Sequence, residues 1–321
     1  MLAKKHLLAQ SPTAMAISSY AQETMCYIGQ LPVFEEASEV INNFTAAGFN
    51  AKQVERICHK YGHRVEQRLL EEIEVHGYEE VPAGERDKLH YVSVDGSMYL
   101  TREEGWKEIK LGRIFKEEDI ARPSKDRGGL MGSTYVSHRG SSKDFLPKME
   151  YHIENLDNKV FLADGATWIW NWVEDTYPQS VQIVDFFHAK EHLCEFARGH
   201  FKDDRERELW MDRQSLALLN KGVDPVIETL EALPGNGKQK QQLINYYRTH
   251  RKRMQYHVFK EQNLLIGSGA MESAHRDVLQ QRLKLSGQRW TLEGLQQMAQ
   301  LRVTYKSGKQ QLIKELCQQV A

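Results

Sequence analysis

The sequence lacks several features that would place the protein in a specialised class. It contains no apolar run near the ~20 residues that a membrane-spanning helix needs, and its N-terminus lacks the apolar segment of a signal peptide. Its 4 cysteines lie far apart and form no paired motif, which indicates neither a disulfide framework nor a zinc ribbon. These absences predict a cytoplasmic, globular protein without a membrane partner.

The chain also has little net charge, which is −1 over 321 residues and by itself argues against a nucleic-acid partner. The charge is unevenly distributed. Residues 1–188 carry 21 Lys and Arg against 29 Asp and Glu, whereas residues 189–321 carry 22 against 15. A basic second half permits a phosphate-binding face, but solvated helix surfaces would give the same counts, so both interpretations stay open.

The first 77 residues have the pattern of a helical region. Apolar residues recur three or four positions apart in three stretches, 18–27, 33–44 and 51–74. A break at Gly48 is compatible with a helix-turn-helix, but the region is acidic, and this favours a plain structural bundle. Residues 78–90 are rich in charge and contain Pro82 and Gly84, which predicts a linker.

The hydrophobic period changes from helical to strand-like at residue 90. Short apolar runs without polar alternation are typical of strands buried on both faces. Three such runs end at an aspartate: 91–94 before Asp95, 160–163 before Asp164 and 181–184 before Asp185. Ligands of open α/β sheets gather at the carboxyl ends of strands, which is where these aspartates are expected. The pair Asp95-Gly96 also predicts a turn, with residues 97–100 returning as a hairpin partner.

The predicted elements from Tyr91 follow the order strand, strand, strand, helix, strand, helix, strand, which is the order of a ribonuclease-H-like core. The predicted class is therefore α/β, with a mixed sheet and further helical parts. The predicted segments are the first part of the core (91–188), an all-helical insertion (189–265), the completion of the core (266–306) and a C-terminal tail (307–321). In the third of these, Gly-Ser-Gly at 267–269 predicts a helix start with Glu272 in its first turn.

Asp95, Asp164 and Glu272 together resemble the catalytic triad of DDE transposases. The surrounding motifs are similar to those of bacterial insertion-sequence transposases of the ISKra type, which are relatives of the Mutator-like group. These motifs are Val-Asp-Gly at 94–96, Ala-Asp-Gly-Ala at 163–166, Asp-Phe-Phe-His at 185–188, Gly-Ser-Gly-Ala-Met-Glu-Ser at 267–273 and Arg-Trp at 289–290. The resemblance extends from about residue 91 to residue 306.

The resemblance implies an enzyme that cleaves phosphodiester bonds at transposon ends and joins the 3′ hydroxyl to target DNA. It assigns the metal ligands to Asp95, Asp164 and Glu272, with two Mg²⁺ ions as cofactors and Mn²⁺ as a substitute. The chemistry agrees independently, because Mg²⁺ prefers carboxylate oxygens and two ions about 3.5–4 Å apart suit an in-line displacement. A single Asp-Gly is more often a turn, whereas three acids in matching contexts favour a metal site.

Further residues receive roles from the same resemblance. Asp185 and His188 resemble the family's Asp-x-x-His signature and would orient the substrate or a metal-bound water, although a helix cap with a buried histidine stays open. Basic and aromatic side chains that track or stack on DNA are expected at Trp210, Arg276, Arg282, Lys284, Arg289 and Trp290. The alternatives for these residues are solvated helix surface and core packing.

The partners that the resemblance implies are double-stranded DNA, both transposon ends and target, and a second copy of the chain, because paired ends demand at least a dimer. The expected location is the bacterial cytoplasm, in association with the nucleoid. Two other functions remain open. One is a catalytically inactive or truncated DNA-binding derivative, and the other is a ribonuclease-H-like nuclease or junction resolvase.

Overall fold

The computed structural model describes residues 8–9, 16–124, 127–235 and 237–319. Parts of the predicted N-terminal region (1–7 and 10–15) and the last two residues of the predicted tail lie outside the described residues. The strands are β1 (Leu8–Ala9), β2 (Ala16–Ile17), β3 (Leu89–Thr101), β4 (Gly105–Lys116), β5 (Ile120–Ser124), β6 (Arg127–Leu130), β7 (Thr134–Arg139), β8 (Asn158–Ala163) and β9 (Val181–Val184).

The helices before β9 are α1 (Ser19–Gly29), α2 (Phe34–Thr45), α3 (Ala51–His76), α4 (Ala83–Arg86), α5 (Ser142–Ile153) and α6 (Thr167–Thr176). Those after β9 are α7 (Phe186–His200), α8 (Asp204–Lys221), α9 (Asp224–Ala232), α10 (Lys238–Thr249), α11 (Tyr256–Glu261), α12 (Gly269–Ala274), α13 (Gln281–Leu283), α14 (Leu292–Lys306) and α15 (Gln310–Gln318). A π-helical turn at His275–Gln280 joins α12 to α13.

Five strands form a mixed sheet in the order β7-β4-β3-β8-β9, which confirms the predicted α/β class. Strands β4 and β7 are antiparallel, whereas β3, β8 and β9 run parallel to one another. The apolar residues at 160–163 of β8 are all buried, as a strand covered on both faces requires. Strands β1 and β2 pair separately, as do β5 and β6.

The predicted turn at Asp95-Gly96 is wrong, because β3 continues through both residues to Thr101. Gly96 allows the side chain of Glu108 to approach the backbone of β3 closely. A Cβ at this position would lie 2.1 Å from a carboxylate oxygen of Glu108 on β4. The chain turns later, at Gly105, whose φ of +68° lies in the left-handed region that favours glycine.

The chain divides into two compact units. The first contains Met1–Asp87, Gly96–Leu156 and Glu272–Ala321. In its core, α3 and α14 approach so closely that a Cβ at Gly62 would lie 1.9 Å from the carbonyl oxygen of Gln297. The C-terminal segment, predicted as a tail, contains helix α15 with its buried residues Ile313, Leu316 and Cys317.

The second unit contains Lys88–Asp95 and Asp157–Met271. It holds the first half of β3, strands β8 and β9, and helices α6 to α11. Tyrosine hydroxyls join its layers, since Tyr247 donates to the carbonyl of Ala189 at 2.9 Å and Tyr256 donates to that of Val184 at 3.0 Å. The units cross the predicted segment boundaries, because residues 91–188 are shared between them.

No helix within the described ranges combines the length and the apolar character that crossing a membrane requires.

Candidate functional site

Three aspartates lie in or directly after three neighbouring parallel strands: Asp95 lies within β3, Asp164 follows β8 and Asp185 follows β9. An offset of 69 residues relates Leu89 to its partner Asn158 in β8, and the same offset relates Asp95 to Asp164. An offset of 21 relates β8 to β9 and, likewise, Asp164 to Asp185. The charges of Asp95 and Asp185 both act on the carboxyl of Asp164, so the three side chains are neighbours. Asp95, Asp164 and Asp185, all in the second unit, therefore form an aspartate row at the carboxyl end of β8 and β9.

Asp164, in the middle of this row, has a raised pKa. Burial raises the pKa of its carboxyl, and the neighbouring Asp95 and Asp185 raise it further. The backbone N–H of Ala166, which donates to Asp164 Oδ1 at 3.0 Å, and the nearby His188 act in the opposite direction. A carboxyl that is difficult to ionise beside other carboxylates is a site that a bound cation would stabilise.

Asp185 is a buried anchor for backbone amides. Its Oδ1 accepts a hydrogen bond from the N–H of His188 at 2.7 Å and caps helix α7. Its Oδ2 accepts from the N–H of Ser268, and the next residue, Phe186, donates to the carbonyl of Ile266 at 2.8 Å. The helix cap foreseen as one alternative is present, whereas the buried histidine foreseen with it is not, because the side chain of His188 is 35% exposed. Asp185 in addition holds the segment that precedes helix α12.

A cluster of rings beside the aspartate row was not predicted from the sequence. The rings of His188 and His192 lie 4.8 Å apart, and that of His192 lies 4.5 Å from Tyr246 on α10. The hydroxyl of Tyr246 is buried and has no hydrogen-bond partner in the described part of the chain. Burial, Asp164 and Asp185 raise its pKa. The spacing of the two histidines, four residues apart on a helix, was a signal that they share a face.

Tyr246 packs directly on the glycine that follows Asp164. A Cβ at Gly165 would lie 2.3 Å from Cε2 of Tyr246, so only glycine fits without displacing the ring. Gly165→Ala is expected to destabilise the protein by about 1–3 kcal/mol through overpacking. Urea unfolding measures this loss.

The matched control is Gly84→Ala, because a Cβ at Gly84 meets nothing within 4 Å. This control is expected to be neutral or slightly stabilising. Equal unfolding midpoints for the two variants would contradict the contact between Gly165 and Tyr246.

Glu272 lies in the first turn of α12 with an exposed side chain, which confirms the predicted helix start. It belongs to the first unit, whereas Asp95 and Asp164 belong to the second. Among the described residues, no group of three or more His, Cys, Asp or Glu side chains is arranged to hold a metal ion. The structure therefore places Asp95 and Asp164 in one unit, and the role of Glu272 as a third metal ligand stays a prediction.

Two of the predicted DNA contacts lie in the core of the first unit. Arg282 is fully buried, donates to the carbonyl of Gly29 at 3.3 Å, and places its guanidinium over the rings of Phe34 and Trp290 at 4.5 and 5.1 Å. Burial lowers its pKa to about 10. Trp290 is 5% exposed and donates to the carbonyl of Leu283. These two residues are corrected to structural roles, because their side chains offer DNA almost no surface.

The remaining predicted contacts are accessible. Arg276, Lys284 and Arg289 are exposed, and Arg276 pairs with Asp277 at 3.2 Å. Trp210 is half-buried on α8, with its ring 5.9 Å from that of Phe196 and 5.2 Å from that of Phe201. For these four residues, contact with DNA stays a prediction.

Comparison with known proteins gives a family without an activity. No curated protein is significantly similar to this chain in sequence. One family model, that of an uncharacterised protein family (UPF0236), matches residues 136–319, which is more than half of the chain. The matched region contains Asp164, Asp185 and Glu272 and begins after Asp95. The chain thus belongs to the uncharacterised protein family UPF0236.

Proposed function

We propose that this protein is a DNA transposase with a ribonuclease-H-like core, which cleaves phosphodiester bonds at transposon ends and joins the freed 3′ hydroxyl to target DNA. The observation that carries the proposal is the proximity of Asp95 and Asp164: Asp164 directly follows the end of β8, which pairs in parallel with β3, and the charge of Asp95 acts on its carboxyl. The element order from β3 to β9 supports the core, since three strands of the main sheet precede the alternation of helix and strand.

The side chains of the proposed site suit magnesium. Asp95 and Asp164 offer hard carboxylate oxygens. Burial and, to a smaller extent, the neighbouring carboxylates raise the pKa of Asp164, and a divalent cation would balance the charge of its ionised form. Glu272 is the third ligand that the motif resemblance implies. When bound, Mg²⁺, or Mn²⁺ in its place, activates the attacking oxygen and stabilises the leaving one.

The other residues of the site orient the carboxylates and position the neighbouring backbone. The N–H of Ala166 holds one oxygen of Asp164, which fixes the orientation of this carboxylate. Asp185 holds Ser268, four residues before Glu272, and so sets where helix α12 begins. Tyr246 packs on Gly165, the residue that follows Asp164, and so fixes the backbone at this point.

The proposed substrate is double-stranded DNA, both the element ends and the target. Two ends are processed together, which makes a homodimer or a higher oligomer on DNA the proposed working form. The exposed Arg276, Lys284 and Arg289 are proposed to contact the phosphate backbone.

A cleavage assay with Mg²⁺ or Mn²⁺ on DNA that carries the element ends tests the proposal. The wild-type protein is expected to cleave, whereas Asp95→Ala and Glu272→Ala are expected to bind the same DNA without cleaving it. Unaltered cleavage by either variant would defeat the assignment. Cleavage of an RNA–DNA hybrid in preference to duplex DNA would identify a nuclease instead, and binding without any cleavage would identify a non-catalytic derivative.

A further inference from the structure

The second unit contains a strongly basic run that the proposed chemistry does not use. Residues 248–253 read Arg-Thr-His-Arg-Lys-Arg and connect the end of α10 to a 3₁₀ turn at Arg251–Met254. Four of these side chains, those of Arg248, Arg251, Lys252 and Arg253, line a pocket of about 720 Å³, together with the single carboxylate of Glu174. This cavity is called the basic pocket below.

The basic pocket lies at the beginning of β9, with Val181 and Gln182 in its wall. The aspartate row lies at the opposite end of the same strand, where Asp185 follows Val184. The two sites are thus separated by the length of β9, roughly 13 Å for four residues. None of the three aspartates lines the basic pocket.

Arg253 forms the fixed floor of the pocket. It pairs with Glu174, donates to Oε1 of Gln182 at 2.9 Å and contacts His250 at 3.1 Å. Its guanidinium also stacks on the ring of Trp170 at 4.6 Å. With these donors committed and only 6% of the residue exposed, Arg253 organises the pocket without being free to bind a ligand.

The cations at the rim are in a different situation. Arg248 and Arg251 are 56% and 61% exposed, and within the described ranges their ion-pair partners are the exposed carboxylates of Glu231 and Asp224. Exposed pairs of this kind contribute about 0–1 kcal/mol, so an incoming anion displaces them at little cost. Lys252 has no ion-pair partner among the residues that the structure describes.

We infer that the basic pocket binds the phosphodiester backbone of nucleic acid, through Arg248, Arg251 and Lys252. Apolar side chains such as Val258 and Phe259 form part of the wall, but the pocket also gathers several cations and the polar side chains of Ser180, Gln182 and Thr249. Small-molecule pockets contain only a few polar groups, whereas several neighbouring cations suit a polyanion. Its cations would contact the negatively charged phosphates and would not distinguish one base sequence from another. The inference rests on the proposed function for the choice of nucleic acid as the anion, and it adds a holding site remote from the carboxylates.

The test is the salt dependence of duplex binding by the full-length protein, followed by fluorescence anisotropy of a labelled duplex of arbitrary sequence. EDTA is present, so that no metal bound at the aspartate row contributes. Each phosphate contact adds about 0.9 to the slope of log K against log salt. The variant Arg251→Ala/Lys252→Ala is expected to lower the magnitude of this slope by about 1.8 and to weaken binding equally for all sequences.

Two matched variants control for charge and for folding. Arg213→Ala/Lys221→Ala removes two exposed cations from α8, outside the basic pocket, and is expected to leave the slope unchanged. Arg251→Lys/Lys252→Arg keeps the charge and is expected to keep the slope. An unchanged slope in the alanine variant, or an equal loss in both alanine pairs, would overturn the inference.

Two further outcomes separate this inference from the proposed function. Saturable binding of inorganic phosphate that the alanine pair abolishes, without duplex binding by the wild-type protein, would show a small-anion site and overturn the nucleic-acid assignment. Cleavage is measured separately with Mg²⁺. Metal-dependent cleavage together with an unaltered salt slope in the alanine variant would support the proposed transposase function and reject nucleic-acid binding by the basic pocket. The expected change in slope without any cleavage would support binding by the pocket and reject the transposase function.

Discussion

Asp164→Asn is expected to abolish metal-dependent DNA cleavage and, at the same time, to make the metal-free protein more stable. Loss of a metal-binding carboxylate lowers the cleavage rate by at least about 10³-fold. Asparagine retains an oxygen for the N–H of Ala166 but removes the charge that burial, Asp95 and Asp185 oppose. The expected gain in the free energy of unfolding is about 0.5–2 kcal/mol, measured by urea denaturation in EDTA.

The gain should depend on pH in a defined direction. The pKa of Asp164 is raised in the folded protein above the ordinary value of 3.8, so the folded state holds this proton more tightly than the unfolded state does. The ionised carboxyl therefore costs stability as the pH rises from the unfolded pKa through the folded one. Consequently, Asp164→Asn should be most stabilising near neutral pH, and its advantage should disappear below about pH 4.

The control for this prediction is Asp175→Asn, which removes an exposed carboxylate from helix α6 and should change neither cleavage nor stability appreciably. Mn²⁺ should raise the melting temperature of the wild-type protein but not that of Asp164→Asn, because ligands stabilise only the state that binds them. A variant that loses stability at neutral pH, or that retains cleavage, would contradict the role of Asp164.

The aspartate row was predictable because its signals are local. Apolar runs that end at an aspartate predict strands with carboxylates at their ends, and parallel pairing then brings Asp164 and Asp185 to one level. The helix start before Glu272 was predictable for the same reason, since Gly-Ser-Gly is a local signal. What the sequence did not reveal is that Glu272 and the aspartates fall in different compact units.

The errors involve partners that are distant in sequence. Asp95-Gly96 was predicted to form a turn, because Asp-Gly is a local turn signal. The contact that favours glycine at this position is with Glu108 on a neighbouring strand, and the local sequence does not show it. Arg282 was predicted to contact DNA from an exposed helix. In the structure it is buried against the carbonyl of Gly29 and the ring of Phe34, which lie more than 240 residues earlier in the chain. Tyr246 had no signal at all, because its position beside Gly165 depends on how the helical insertion folds.

Asp185→Ala is expected to cost about 3–5 kcal/mol of unfolding free energy, because two buried hydrogen bonds from backbone N–H groups to a carboxylate are lost together. One is the bond from His188 that caps α7, and the other is the bond from Ser268. Both amides would be left without their acceptor in a site where Asp185 is only 3% exposed. Urea unfolding measures the loss, and hydrogen exchange at the Ser268 amide locates it.

Asp203→Ala is the reference for a helix cap without a second bond such as the one from Ser268 to Asp185. Asp203 also caps a helix, α8, and accepts from the N–H of Glu206 at 2.7 Å, but it is exposed, and the capping bond is the one hydrogen bond of its side chain to the part of the chain that the structure describes. Its removal should cost about 1 kcal/mol. The difference between the two variants therefore measures what holding Ser268 contributes. Equal losses would show that Asp185 is no more than a cap.

A variant Asp185→Asn that keeps its stability and loses affinity for Mn²⁺ would show instead that the carboxylate binds the metal directly, since an amide retains one acceptor oxygen but is a poor ligand for a hard cation.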